Sequence, residues 1–171
     1  TLHMSLSGLR DISIIETPPE GRRPIRTNVS EYDEELIKVA LEREHARGGQ
    51  AFYLHNRVET IEEIGTKLQQ MCPGLRFLVA HGQMGERDLE ERMHAFLAGD
   101  ADVLVSTTII ESGLDIPRAN TIFIDQAHRF GLSDLHQLRG RVGRWKRKAP
   151  CFLILPRPEP LIPAARARMK A

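Results

Sequence analysis

The run Gln137-Leu138-Arg139-Gly140-Arg141-Val142-Gly143-Arg144 sets three arginines and a glutamine around two glycines. Each glycine inside a helix costs about 1 kcal/mol relative to alanine, so the run reads as a poor core element kept for some other purpose. Arginine stays charged and presents its donors in a flat fork that matches phosphate oxygens, and a permissive backbone allows close approach. The chemistry this suits is phosphate binding. Three arginines alone are more often a solvated basic surface helix, so the rest of the chain has to decide.

A second stretch supports the phosphate reading: Ser106-Thr107-Thr108-Ile109-Ile110-Glu111-Ser112-Gly113-Leu114-Asp115-Ile116-Pro117. Paired threonines after a strand supply hydroxyls and backbone N–H groups at the start of a turn, which suits a nucleic-acid phosphate. Gly113 permits close backbone approach, and Asp115 offers an acceptor for a ribose hydroxyl. Singly, Thr107 and Asp115 are ordinary turn formers. The chain contains no G-x-x-x-x-G-K-[ST] loop and no G-x-G-x-x-G turn, so a nucleotide is at most half-bound here. Asp125-Gln126-Ala127-His128 resembles an acidic magnesium box only superficially: Gln126 stands where the second carboxylate belongs, and the segment follows the other ligand-like loops. No metal site is expected, because the seven histidines show no ligand spacing. His45 and His94 fall within expected helices and read as surface or core-edge residues. Ser5, Ser7 and Ser106 lack the G-x-S-x-G elbow of a nucleophilic hydrolase.

A chain of 171 residues with 41% apolar content suits one domain with a real core. Net charge is only +1, yet no acid interrupts Arg139 to Lys148, which is a local basic stripe. Cys72 and Cys151 are far apart, which argues against a disulfide framework and for a reducing cytosol. With no secretory signal and no long apolar run, a soluble cytoplasmic protein is expected. The opening Thr1-Leu2-His3-Met4 reads as a fragment of something longer.

Ile12–Glu16 and Ile25–Val29 have strand character. Ser30 with Asp33 suggests a capped helix start, and Leu36, Ile37, Ala40 and Leu41 share one face up to Arg47, where Gly48-Gly49 stops the helix. Further helices are expected over Ile61–Met71 and Glu86–Ala98, with another starting at Ser133. Strands are expected at Ala51–His55, Leu75–Ala80, Val103–Ser106, Thr121–Asp125 and Cys151–Leu155. Short apolar strands alternating with amphipathic helices predict an α/β fold with a mostly parallel central sheet covered by helices on both faces. The loops after the strands then share one edge, where such folds bind ligands. One crevice should gather His55-Asn56-Arg57, His81-Gly82-Gln83, Thr107-Thr108 and the tail of Thr121–Asp125.

On these residues the chain resembles the superfamily 2 helicases and translocases. Ala51–Arg57 is similar to their motif IV, His81-Gly82-Gln83-Met84 to motif IVa, Ser106–Pro117 to motif V and Gln137–Arg144 to motif VI, in that order. The opening segment, Thr107–Thr121 and Phe130–Gln137 are similar to the bacterial branch that couples transcription to DNA repair. RecG-type branch-migrating helicases and a non-catalytic nucleic-acid-binding module remain alternatives. The resemblance implies a RecA-like three-layer domain over 31–156, an inter-lobe connecting segment over 1–30 and the start of a C-terminal extension over 157–171. It implies an ATP-driven double-stranded DNA translocase in which a first lobe, absent here, holds most of the ATP and Mg2+. Arg141 and Arg144 would then be arginine fingers and Gln137 a coupling residue. Gly113 and Asp115 would line the nucleotide, and Asn56, Arg57, Gly82, Thr107 and Thr108 would grip the DNA backbone. RNA polymerase and nucleotide-excision repair proteins are the implied partners, through other domains.

Overall fold

The computed structural model describes residues 26–107, 119–139 and 150–156. The expected strand at Ile12–Glu16 lies outside them. The chain runs β1 (Arg26–Glu31), α1 (Glu34–Ala46), β2 (Gln50–Leu54), α2 (Val58–Met71), β3 (Phe77–Ala80), α3 (Glu86–Leu97), β4 (Val103–Ser106) and β5 (Ala119–Ile124). A 3-10 turn over Ala127–Arg129, α4 (Leu132–Arg139) and β6 (Pro150–Leu155) follow. The six strands form one sheet in the order β1-β6-β5-β2-β4-β3, every pair parallel.

Alternation along the strands divides the core into two layers. Phe52, Leu54, Leu104, Ile122 and Ile124 face α3 and α4, meeting Met93, Phe96, Leu135 and Leu138. Ala51, Tyr53, Val103, Val105 and Phe123 face α1 and α2, meeting Ile37, Leu41, Ile61 and Leu68. Both faces are therefore covered, as the near-continuous apolar strands require. This is the three-layer α/β architecture expected from the sequence, a parallel central sheet covered by helices on both faces.

Two local expectations are corrected. Ser30 lies inside β1, so it does not cap α1; Asp33 alone is the N-cap, its carboxylate accepting from the N–H groups of Glu35 (3.0 Å) and Leu36 (3.3 Å). The arginine-rich run also contributes to the core, contrary to its glycine content. Leu138 within it is 0% exposed and Leu135 one turn earlier is buried, because α4 starts at Leu132 and continues to Arg139. Gly48 (φ 76°) and Gly99 (φ 85°) leave α1 and α3 in the left-handed region that only glycine adopts freely.

Where α2 crosses β3 the backbone of Gly65 is pressed against the sheet. A Cβ there would sit 2.6 Å from Val79 Cγ2, and valine, branched at Cβ, cannot swing that methyl aside. Alanine would gain about 1 kcal/mol in helix propensity against an overpacking cost of about 1–3 kcal/mol. Gly65→Ala is expected to lower stability by about 1 kcal/mol net, on the same two estimates. Adding Val79→Ala should recover part of that loss, measurable by urea unfolding as positive coupling between the two sites. Simple additivity would disprove the contact.

Candidate functional site

The parallel sheet places the carboxyl ends of β5, β2, β4 and β3 side by side. Leu54 pairs with Ile124 and with Ser106, and Ser106 pairs with Ala80. The next residue on each strand is therefore Asp125, His55, Thr107 and His81, a row across four adjacent strands. At a strand spacing of about 4.8 Å the row spans roughly 14 Å. The expected gathering of these loops along one edge is found.

Asn56 and Arg57 follow His55 and are exposed; Gly82 is exposed in the turn after β3. Thr107 is 6% exposed, and its N–H is already given to the Ala80 carbonyl (3.4 Å), so an outside ligand can meet only its side chain. Gln137 is exposed on α4, between the buried Leu135 and Leu138. Thr108, Gly113, Asp115, Arg141 and Arg144 lie outside the described residues.

The helices that leave this edge differ at their first turns. Asp33 caps α1, whereas α2 (N-cap Arg57) and α3 (N-cap Gly85) have no side-chain cap. Uncapped first-turn N–H groups suit phosphate oxygens. Glu59, Glu86 and Asp88 in those turns already answer the helix dipoles. Among the described residues at these two helix starts, attraction for an anion therefore rests on Arg57, the exposed Arg87 and the backbone donors.

Sequence reasoning missed what holds the edge together. His55, 3% exposed, has its Nδ1 2.7 Å from Asp125 Oδ2 and its Nε2 2.6 Å from Thr60 Oγ1. The other oxygen of Asp125 accepts from the N–H of Gln126 (3.0 Å), whose φ of 50° is left-handed. The signal available was that strands β2 and β5 are each followed immediately by an ionisable residue. Burial and then the charge of the neighbouring Arg129 hold the His128 imidazole below the usual histidine range, so Arg129 is the fixed cation of the 3-10 turn.

The opposite edge has its own polar lock. Asp102 accepts from the backbone N–H of Arg76 (2.8 Å), from the Arg76 guanidinium and from His45 Nδ1 (3.2 Å). Burial alone would raise the Asp102 carboxyl, but these bonds from Arg76, with the charges of Arg76 and His45, leave it below the usual carboxylate range. Among the described residues no group of three or more His, Cys, Asp and Glu could hold a metal. Nor is any described helix long and apolar enough to cross a membrane.

Comparison with known proteins decides the family. Residues 31–146 match the helicase conserved C-terminal domain. The chain belongs to that family. This helicase domain is 53% identical over all 171 residues to the transcription-repair-coupling factors of Staphylococcus haemolyticus and Staphylococcus aureus, while spanning only 15% of their length. Among solved structures it is similar to RecG bound to a three-way DNA junction: TM-score 0.71, 34% identity, 98% of this chain and 23% of that one. The E. coli DEAD-box protein SrmB (TM-score 0.58, 21% identity, 79% of each chain) shares the fold.

Proposed function

We propose that this chain is the second RecA-like lobe of an ATP-driven double-stranded DNA translocase of the transcription-repair-coupling type. The observation that carries the reading is 53% identity to those factors along the whole chain, against 34% to RecG. The motif residues add chemistry to the likeness. The exposed pair Asn56 and Arg57, Gly82 and the Thr107 side chain share one edge with the segment leading to α4.

In this reading Asn56, Arg57, Gly82, Thr107 and Thr108 hold DNA phosphates, which fixes position without reading bases. Gly113 and Asp115 border the nucleotide, Asp115 accepting from a ribose hydroxyl. Arg141 and Arg144 stabilise negative charge on the γ-phosphate of ATP held by the first lobe, and Gln137 links that cleft to the threonine loop. Mg2+ neutralises phosphate charge in such chemistry, and in this reading its site belongs to the first lobe. This lobe alone is then inactive as an ATPase. Closure of two lobes on ATP and reopening after hydrolysis moves the DNA grips. RNA polymerase and nucleotide-excision repair proteins engage other regions of the parent protein.

The RecG likeness supplies the competing reading, and substrates separate the two. The parent protein carrying this lobe is expected to displace a stalled RNA polymerase in an ATP-dependent reaction while leaving a three-way DNA junction unmigrated. Junction migration without polymerase displacement would assign it to branch migration instead.

A further inference from the structure

Open α/β sheets bind ligands where the helices after neighbouring strands depart to opposite faces. Here those neighbours are β2 and β5: α2 packs on one face through Ile61 and Leu68, and α4 on the other through Leu135 and Leu138. The mouth of that crevice is spanned by the chain's own Asp125, His55 and Thr60.

We propose that Asp125, His55 and Thr60 form an internal strut that positions the Asn56–Arg57 grip and ties it to the segment leading into α4. The inference rests on the DNA-translocase reading above. A carboxylate only accepts, so His55 Nδ1 donates to Asp125, and the Thr60 hydroxyl, which can accept or donate, completes the bond at Nε2. With both ring nitrogens occupied and the ring buried, His55 is a spacer and not a ligand for phosphate. Thr60 lies in the first turn of α2, three residues after Arg57, which offers that helix no side-chain cap. The hydroxyl that could have served local capping instead reaches back to the strand end. At the other end both Asp125 oxygens are used, one on His55 and one on the N–H of Gln126. That second bond fixes the left-handed residue from which the 3-10 turn and then α4, with Gln137, emerge.

The three residues thus hold three things in one line: the first turn of α2, the end of β2 and the turn after β5. Asn56 and Arg57 sit between His55 and Thr60, so a bond joining those two closes a six-residue loop around the grip. A displacement of the grip by DNA must either stretch this line or carry the turn after β5 with it. Thr60, His55 and Asp125 are positioning residues acting through Asn56 and Arg57.

The test uses the parent two-lobed protein, with ATP turnover measured against DNA concentration. Thr60→Val keeps the shape and removes the hydroxyl; Thr60→Ser keeps the hydroxyl. Thr60→Val is expected to raise the DNA concentration for half-maximal stimulation about tenfold, the scale of one lost hydrogen bond, with DNA-free turnover unchanged. Thr60→Ser should return it to within about twofold of the parent, because the hydroxyl is restored. An unchanged half-saturation in Thr60→Val, alongside weakened DNA response in Arg57→Ala, would overturn the strut and leave the translocase reading intact. Equal losses in both Thr60 variants with a lowered melting temperature would also overturn it, by showing a structural role alone. Full DNA-stimulated turnover in Arg144→Ala would remove the translocase reading and the strut with it.

Discussion

Arg144→Ala, in a protein joining this lobe to its first lobe, is expected to lower DNA-stimulated ATP turnover by about 10³-fold or more. Arginine fingers contribute roughly 10³ to 10⁵ in rate, or about 4–7 kcal/mol at about 1.36 kcal/mol per tenfold. The effect is large because the charge acts on the transferred γ-phosphoryl group, and water cannot replace it without reorganising. Leu135 and Leu138 fix the helix on the sheet, and Arg144 follows its last residue by five positions, a reach of at most roughly 17 Å. Arg144→Lys should fail to restore the rate, since an ammonium lacks the planar fork. Arg141→Ala should show a loss of the same order, and both variants should retain DNA binding without nucleotide. Steady-state turnover at saturating ATP and DNA checks all of this. Parent-like turnover in Arg144→Ala would reduce the lobe to a nucleic-acid-binding module.

Most of the architecture is legible in the residues because burial is periodic. Val103–Ser106 is a strand buried along its whole length, and Ile61 and Leu68 mark the inward face of α2 by helical spacing. What escapes local reading is pairing across distance. Glu44 continues the inward face of α1 after Ile37 and Leu41, where helical spacing alone calls for an apolar residue. It is buried and satisfied by Arg47 beside it and by the Thr121 hydroxyl (2.8 Å), 77 positions away. The Asp125–His55 bond spans 70 positions, so no window of sequence contains it. Leu138 shows the opposite failure. Two glycines and three arginines suggested an exposed run, but one leucine at the right helical phase was enough to bury that side of α4. The placement of Asn56, Arg57, Gly82 and Thr107 at one sheet edge was legible because each falls within three residues of a strand's end. The strut behind them was not, because it depends on which strands are neighbours.

The second large effect is expected in the core. Phe123 stands at the centre of the sheet on β5, in register with Tyr53 of β2 on one side and Phe152 of β6 on the other. Its ring lies 5.8 Å from that of Tyr53 and 4.8 Å from that of Phe152, both stacked. Phe123→Ala should cost about 3–5 kcal/mol, the range for deleting a buried aromatic ring. Strand spacing is fixed by the backbone ladder, so the flanking rings cannot close the gap. A domain typically holds about 5–15 kcal/mol in total, which leaves this variant marginal. At about 2–4 °C per kcal/mol for a chain of this size the melting temperature should fall by roughly 6–20 °C. Phe123→Leu, which refills most of the volume, should cost less. The contrast with Thr60→Val is diagnostic. Asp125 is two residues beyond Phe123 and His55 two beyond Tyr53, so loss of the ring should loosen the strut by melting its support. Loss of the Thr60 hydroxyl should weaken DNA response with the support intact. A Phe123→Ala melting curve that overlays the parent would place the core elsewhere and remove the structural footing on which the site row rests.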